Sequence, residues 1–178
     1  MASICVFCGS SPGNNERYLD AARELGSALV HRGLGLVYGG VMTGLMGAIA
    51  TTVMAEGGEV IGIIPKDMLS REIAKRDITD LRVVENMHQR KQMMSELSDA
   101  FVALPGGMGT FEELCEILTW AQLGIHHKPV GLVNAAGYYD PLLRLFDHAV
   151  TEGFIAPSHR MLLKSGATPD ELLDTFDL

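Results

Sequence analysis

The sequence predicts a three-layer, Rossmann-like α/β domain in which helices flank a mainly parallel sheet. Apolar, strand-length runs alternate with amphipathic helical segments, and those runs are continuously apolar rather than alternating in polarity. A strand that is apolar on both faces is covered on both, as in a parallel sheet whose crossover helices lie above and below it. Glycines add a third observation. They cluster at 9–13, 39–47 and 106–109, each time just after a strand candidate. In such sheets, ligands bind beyond the carboxyl ends of the strands, where loops run into helix N-termini.

Taken in order, the first strand is expected over 4–8 and the first helix near 15–31. That helix has Leu19, Ala22, Leu25 or Gly26, and Leu29 on one face. Strands follow at 34–38 and 60–64, with a helix near 44–56 between them. The stretch 66–80 breaks the rhythm: it is polar, charge-rich and longer than an ordinary connection, which suggests a functional excursion over the sheet edge. The alternation resumes with strands at 81–85, 101–104 and 130–133 and helices near 87–97, 111–123 and 139–152. A last helix starts at Thr168-Pro169-Asp170-Glu171, with an N-cap threonine, proline at the first helical position and acids behind it. No internal repeat, low-complexity tract or composition shift divides the chain, so 1–178 reads as one domain.

Bulk properties narrow the function. The chain has 178 residues, 47% apolar and 20% charged, the balance of a globular protein with a real core. A formal net charge of −8 argues against nucleic acid as a partner, but a small anion can still be held by local N–H, Arg and Lys groups. Cys5 and Cys8 form a C-x-x-C inside a strand candidate. Residues three apart in a strand face opposite ways, so the thiols should diverge and serve as buried core groups. No apolar stretch has membrane-spanning length and no signal peptide opens the chain, so the expected compartment is the cytoplasm.

Gly9-Ser10-Ser11-Pro12-Gly13 matches the letter of a G-x-S-x-G nucleophile elbow. The residue after the nucleophile must lend its N–H to an oxyanion, and Pro12 has none. A turn beside a ligand, with Ser10 or Ser11 free to hydrogen-bond it, is the better reading. Tyr38-Gly39-Gly40, followed by Gly44 and Gly47, fits neither dinucleotide nor P-loop spacing; close packing and direct ligand contact by Gly39 and Gly40 are both open. His126-His127-Lys128 reads as a connecting loop, since sequential histidines splay apart and no acid is spaced to join them on a metal.

Pro105-Gly106-Gly107-Met108-Gly109-Thr110 follows an apolar run and precedes a helix. Its glycines let the backbone approach an anion closely, and the helix adds its positive end. Thr110 and Glu113 have the spacing of a capping box, which would explain Glu113 structurally; equally, Glu113 can be a carboxylate held beside a bound substrate. Glu112 and Glu113 point about 100° apart on a helix, so only one of them can face such a site. Met87-His88-Gln89-Arg90-Lys91 opens another helix at the same sheet edge, where a guanidinium could grip phosphate.

Together these segments resemble the Lonely Guy (LOG) family of cytokinin-activating phosphoribohydrolases. PGGMGTFEE is similar to the family's PGGxGTxxE signature at every fixed position; MHQRKQMM, CGSSPG, YGG…GLMG and TWAQLGIHHKPVGLVN also agree, over 4–155. The family was long labelled lysine decarboxylase, yet nothing in the sequence supports pyridoxal phosphate chemistry. The resemblance implies hydrolysis of the N-glycosidic bond of N6-modified adenosine 5′-monophosphates, without metal or cofactor. It implies that Arg90 and Glu113 are the catalytic pair. Glu72, Lys91, Gly106, Gly107, Met108, Gly109, Thr110, Glu112 and Thr119 would line the nucleotide site, joined by Ser10, Gly39 and Gly40. It further implies a homodimer with its sites close to the subunit interface. Two rival expectations are a nucleosidase for AMP or a broad range of nucleotides, and a non-catalytic nucleotide or cofactor carrier or sensor. The carrier would need the glycine loop but not Arg90 with Glu113.

Overall fold

The computed structural model describes residues 1–69 and 74–178. Strands β1 (Ser3–Phe7), β2 (Gly35–Tyr38), β3 (Val60–Pro65), β4 (Asp80–Val84), β5 (Ala100–Ala103), β6 (Val130–Val133) and β7 (Leu163–Gly166) form one sheet in the order β4-β3-β2-β1-β5-β6-β7. Every adjacent pair is parallel, for example Ile4 opposite Leu36 on one side and Ala100 on the other. The expected mainly parallel, three-layer architecture is therefore present. β7 is a strand that hydropathy did not indicate: its sequence, LKSG, has no apolar run, and it lies at the sheet edge where only one neighbour is needed.

Helices α1 (Glu16–His31), α2 (Gly44–Ala55), α3 (Lys66–Leu69), α4 (Met87–Glu96), α5 (Met108–Gln122), α6 (Asp140–Thr151), α7 (Pro157–Arg160) and α8 (Pro169–Leu173) connect the strands. Alternation along β1 sends Ile4, Val6 and Cys8 into a core with α1, α2 and α8, whereas Cys5 and Phe7 enter a second core with α4 and α5. The two cysteines thus face opposite layers, both buried. Burial pushes both thiols' pKa values up, so they are core groups rather than nucleophiles. On α1 the expected stripe is buried at Ala22, Leu25, Gly26 and Leu29. Gly26 lets α2 approach, since a Cβ there would lie 3.2 Å from the Ile49 carbonyl oxygen. The final helix is capped as its sequence predicts: Thr168 Oγ1 accepts from the Glu171 N–H.

β1 and β5 are neighbours, but α1 leaves β1 toward one layer and α5 leaves β5 toward the other. The chain therefore reverses its winding between them, and the crevice at that reversal is where open parallel sheets bind ligands. The loops that follow the two strands meet there: the Gly9 N–H donates to the Pro105 carbonyl at 3.0 Å. The excursion after β3 is described only in part. It contains α3, then a bridge between Ala74 and Val41, before the chain enters β4.

Candidate active site

Three chain segments supply the polar groups at this sheet edge. The first is the start of α4. Asn86 caps it by accepting from the Gln89 N–H at 3.0 Å, so the helix begins at the carboxyl end of β4 and directs Arg90 inward. Arg90 is 4% exposed. Its Nε donates to the Ile63 carbonyl at 3.0 Å and its Nη2 to the Gly39 carbonyl at 2.6 Å. Burial lowers the pKa of this guanidinium, and the nearby Glu113 opposes that shift.

Gly39 and Gly40 have evident packing roles. A Cβ on Gly39 would lie 1.9 Å from Arg90 Nη2, so any larger residue would evict the guanidinium. Gly40 has φ +74° and packs against Ile63 and Ile64, while its carbonyl accepts from the Lys75 N–H.

The second segment is the glycine loop and the start of α5. The helix begins at Met108 with Gly107 as an extended N-cap, and no side chain caps it. This corrects the expected capping box: Thr110 is the third helical residue, and Glu113 lies a full turn beyond the capping position. Gly107 supplies the extended N-cap backbone, and the Phe111 N–H closes the first turn onto the Gly107 carbonyl. The Met108, Gly109 and Thr110 N–H groups precede that first intrahelical bond and form the positive end of the helix. Gly106 is constrained, since a Cβ there would meet Thr110 Oγ1 at 2.0 Å and the Gly9 nitrogen at 2.9 Å.

Glu113 is 8% exposed. Burial raises its pKa to about 7; Arg90 pulls in the opposite direction, while Glu112 adds to the rise. A carboxyl poised there can change protonation state near neutral pH, which a helix cap has no need to do. Arg90 and Glu113 therefore stand as a buried, electrostatically coupled pair.

The third segment is the loop after β1. Ser10 and Ser11 are exposed, and the Ser10 carbonyl accepts from Thr43 Oγ1. With Gly106, Gly107, Tyr18 and Tyr138 they line a cavity of about 310 Å³.

The remaining expected residues are distributed less uniformly. Lys91 is held by Glu112 at 2.6 Å and by Glu116 at 2.8 Å, so it is already neutralised by two carboxylates. Thr119 lies further along α5, where its hydroxyl donates to the Cys115 carbonyl and it lines a separate hollow with Leu118, Phe146 and Ile155. Glu72 lies outside the described residues. His126 is a buried connector, hydrogen-bonded to the Ile117 carbonyl at 2.9 Å. Sequence reasoning missed Glu116 and Tyr138. Glu116 had a signal, one turn beyond Glu112 on the same helix face. Tyr138 had none, since it immediately precedes a predicted helix and belongs to no motif.

The fold and site define a Rossmann-like α/β protein whose glycine-rich loop opens a helix beside a buried Arg–Glu pair. Comparison with known proteins narrows this class. Residues 46–176 match the family model described as "Possible lysine decarboxylase". A rice (Oryza sativa subsp. japonica) protein named "Probable cytokinin riboside 5′-monophosphate phosphoribohydrolase LOGL3" is 55% identical over 173 residues, 97% of this chain and 82% of its own. The Arabidopsis thaliana "Cytokinin riboside 5′-monophosphate phosphoribohydrolase LOG1" is 55% identical over 174 residues, 98% of this chain and 82% of its own. The chain belongs to this LOG family. Among solved structures, a Moco carrier protein from Chlamydomonas reinhardtii superimposes with a TM-score of 0.73 at 22% identity, covering 97% of this chain and 93% of that one. At that identity the likeness concerns the fold alone.

Proposed function

We propose that the protein hydrolyses the N-glycosidic bond of cytokinin riboside 5′-monophosphates, releasing the free N6-modified adenine and ribose 5-phosphate. The observation that carries this is the buried Arg90–Glu113 pair beside the open N-terminus of α5, in a chain 55% identical to relatives named for that activity. A non-catalytic carrier would need the loop but would gain nothing from burying a carboxyl whose pKa is about 7.

In this reading the N–H groups of 107–110 take the 5′-phosphate, assisted by the helix dipole. That anchor holds the anomeric carbon against Glu113. As the C1′–N9 bond breaks, its electron pair leaves with the purine and positive charge develops on the ribose. Ionised Glu113 stabilises that charge and orients the attacking water, whose oxygen bonds to C1′ while its proton passes to the departing base. Arg90 stabilises negative charge on phosphate or base; a guanidinium is too weak an acid to donate the proton itself. Gly39 and Gly40 serve the site through its backbone, and Ser10 borders the phosphate end. Lys91 and Glu112 form its rim, and Met108 is 83% exposed at the mouth. Glu72 and Thr119 complete the substrate contacts that the family resemblance implies. Thr119 lies in a different hollow from Glu113, an arrangement that suits a homodimer with sites near the subunit interface. The chemistry calls for no metal or cofactor, and the expected compartment is the cytoplasm; among the described residues no helix is long and apolar enough to cross a membrane.

The test is parallel incubation with isopentenyladenosine 5′-monophosphate and AMP, with free base followed by chromatography. Faster release from the isopentenyl nucleotide is expected. Faster release from AMP would make the protein a general nucleosidase, and release from neither would return it to the carrier class.

A further inference from the structure

The glycine loop is held by an aromatic group that no motif includes and that lines the same cavity as Gly106 and Gly107. The Tyr138 hydroxyl donates to the Gly106 carbonyl. Its ring is fixed on three sides: stacked on Phe111 at 6.5 Å and 18°, edge-on to Tyr18 at 5.5 Å and 73°, and edge-on to Tyr139 at 5.1 Å and 82°. The segment that delivers it is equally constrained. Asn134 accepts from the Tyr139 N–H and donates to Asp140, each at 2.7 Å. Gly137 has φ +72°, and Ala136, at φ +52°, is the only non-glycine among the described residues with a left-handed backbone. A left-handed L-residue is uncommon and costly, and such residues cluster at active sites and ligand clamps.

The Gly106–Gly107 unit is planar and trans, so its C=O and N–H point in opposite directions. Fixing the Gly106 carbonyl on Tyr138 therefore turns the Gly107 N–H away from Tyr138. Gly107 is the N-cap of α5 and has open space around it. Gly106 is hemmed in by Thr110 and Gly9 but Gly107 is not, so the orientation of the peptide plane between them depends on the hydrogen bond its carbonyl makes. We propose that Tyr138 is a positioning residue that locks the Gly106–Gly107 peptide so that the loop's N–H groups face the substrate's 5′-phosphate.

This inference rests on the phosphate-loop reading above, and the experiment separates the two. Steady-state kinetics are measured for the wild type, Tyr138→Phe and Tyr139→Phe on isopentenyladenosine 5′-monophosphate and on the riboside lacking the phosphate. Tyr139 is the control: it is buried, and its hydroxyl donates to the Leu104 carbonyl at 2.6 Å, before the glycine loop begins. The wild type is expected to prefer the nucleotide strongly. Tyr138→Phe should raise KM for the nucleotide about tenfold, as expected for losing one aligned hydrogen bond, with kcat changed less than about threefold. Its kcat/KM on the riboside should not move. Tyr139→Phe should lower the melting temperature without changing the nucleotide-to-riboside ratio. If Tyr138→Phe keeps the wild-type ratio, loses both substrates in parallel or does not fold, the positioning role is overturned while the phosphate loop stands. A wild type that treats nucleotide and riboside alike overturns both.

Discussion

Glu113 carries an acid into a place where water cannot fully solvate it, and its protonation is the most informative single property of the site. Its ordinary pKa of 4.5 rises to about 7 in the fold, mainly through burial. A group whose folded pKa lies above its unfolded one stabilises the fold fully below the unfolded value and loses that contribution as pH rises through the folded one. The window here runs from 4.5 to about 7. Glu113→Gln has no charge to bury, so it should gain stability on the wild type across that window, by on the order of 3 kcal/mol at pH 8. Denaturant unfolding of both proteins at pH 5 and pH 8 measures this, and an unchanged difference would contradict the burial of an ionisable Glu113. Arg90 could be read from the sequence as a cation at the ligand-bearing edge. Its burial and its two carbonyl partners could not, because those carbonyls belong to the residue after β2 and to β3, far away in the chain.

At the scale of elements, the start of α5 decides what the glycine loop can do. Gly106 and Gly107 are adjacent yet differ in what they tolerate. A Cβ at Gly106 collides with Thr110 and Gly9, whereas one at Gly107 meets nothing within 4 Å. Gly106→Ala should therefore cost about 1–3 kcal/mol of stability through overpacking. Gly107→Ala should melt near the wild-type temperature but raise KM for the nucleotide by narrowing the approach to the N–H groups. Thermal melts alongside kinetics check both, and equal melting temperatures for the two variants would refute the packing assignment. The sequence made this loop legible because strand, glycines and helix follow one another directly. It misplaced the helix start by three residues, at Phe111 instead of Met108. The T-x-x-E pattern has the letters of a cap, whereas the helix begins at Met108 on an extended Gly107 with no side-chain cap for one-dimensional spacing to reveal. β7 escaped for a related reason: an edge strand needs only partial cover, so LKSG lacks the apolar run by which the other strands were found.

The whole molecule brings α4 and α5 together because both cover the same face of the sheet while the chain reverses its winding between β1 and β5. The alternation of apolar strands and helices was enough to predict that architecture. It could not predict the strand order, which determines that Arg90 meets Glu113. The exterior carries exposed Leu123, Ile125, Leu145, Phe154 and Met161, consistent with the proposed homodimer. Sedimentation should give about twice the 19.2 kDa chain mass, and a monomer at micromolar concentration would contradict it. This architecture makes an enzyme and not merely a nucleotide binder, and Glu113→Gln separates the two. Base release from isopentenyladenosine 5′-monophosphate should be abolished in that variant, while calorimetric affinity for the nucleotide stays within about tenfold of wild type. Turnover near the wild-type rate would rule out Glu113 as the catalytic carboxylate.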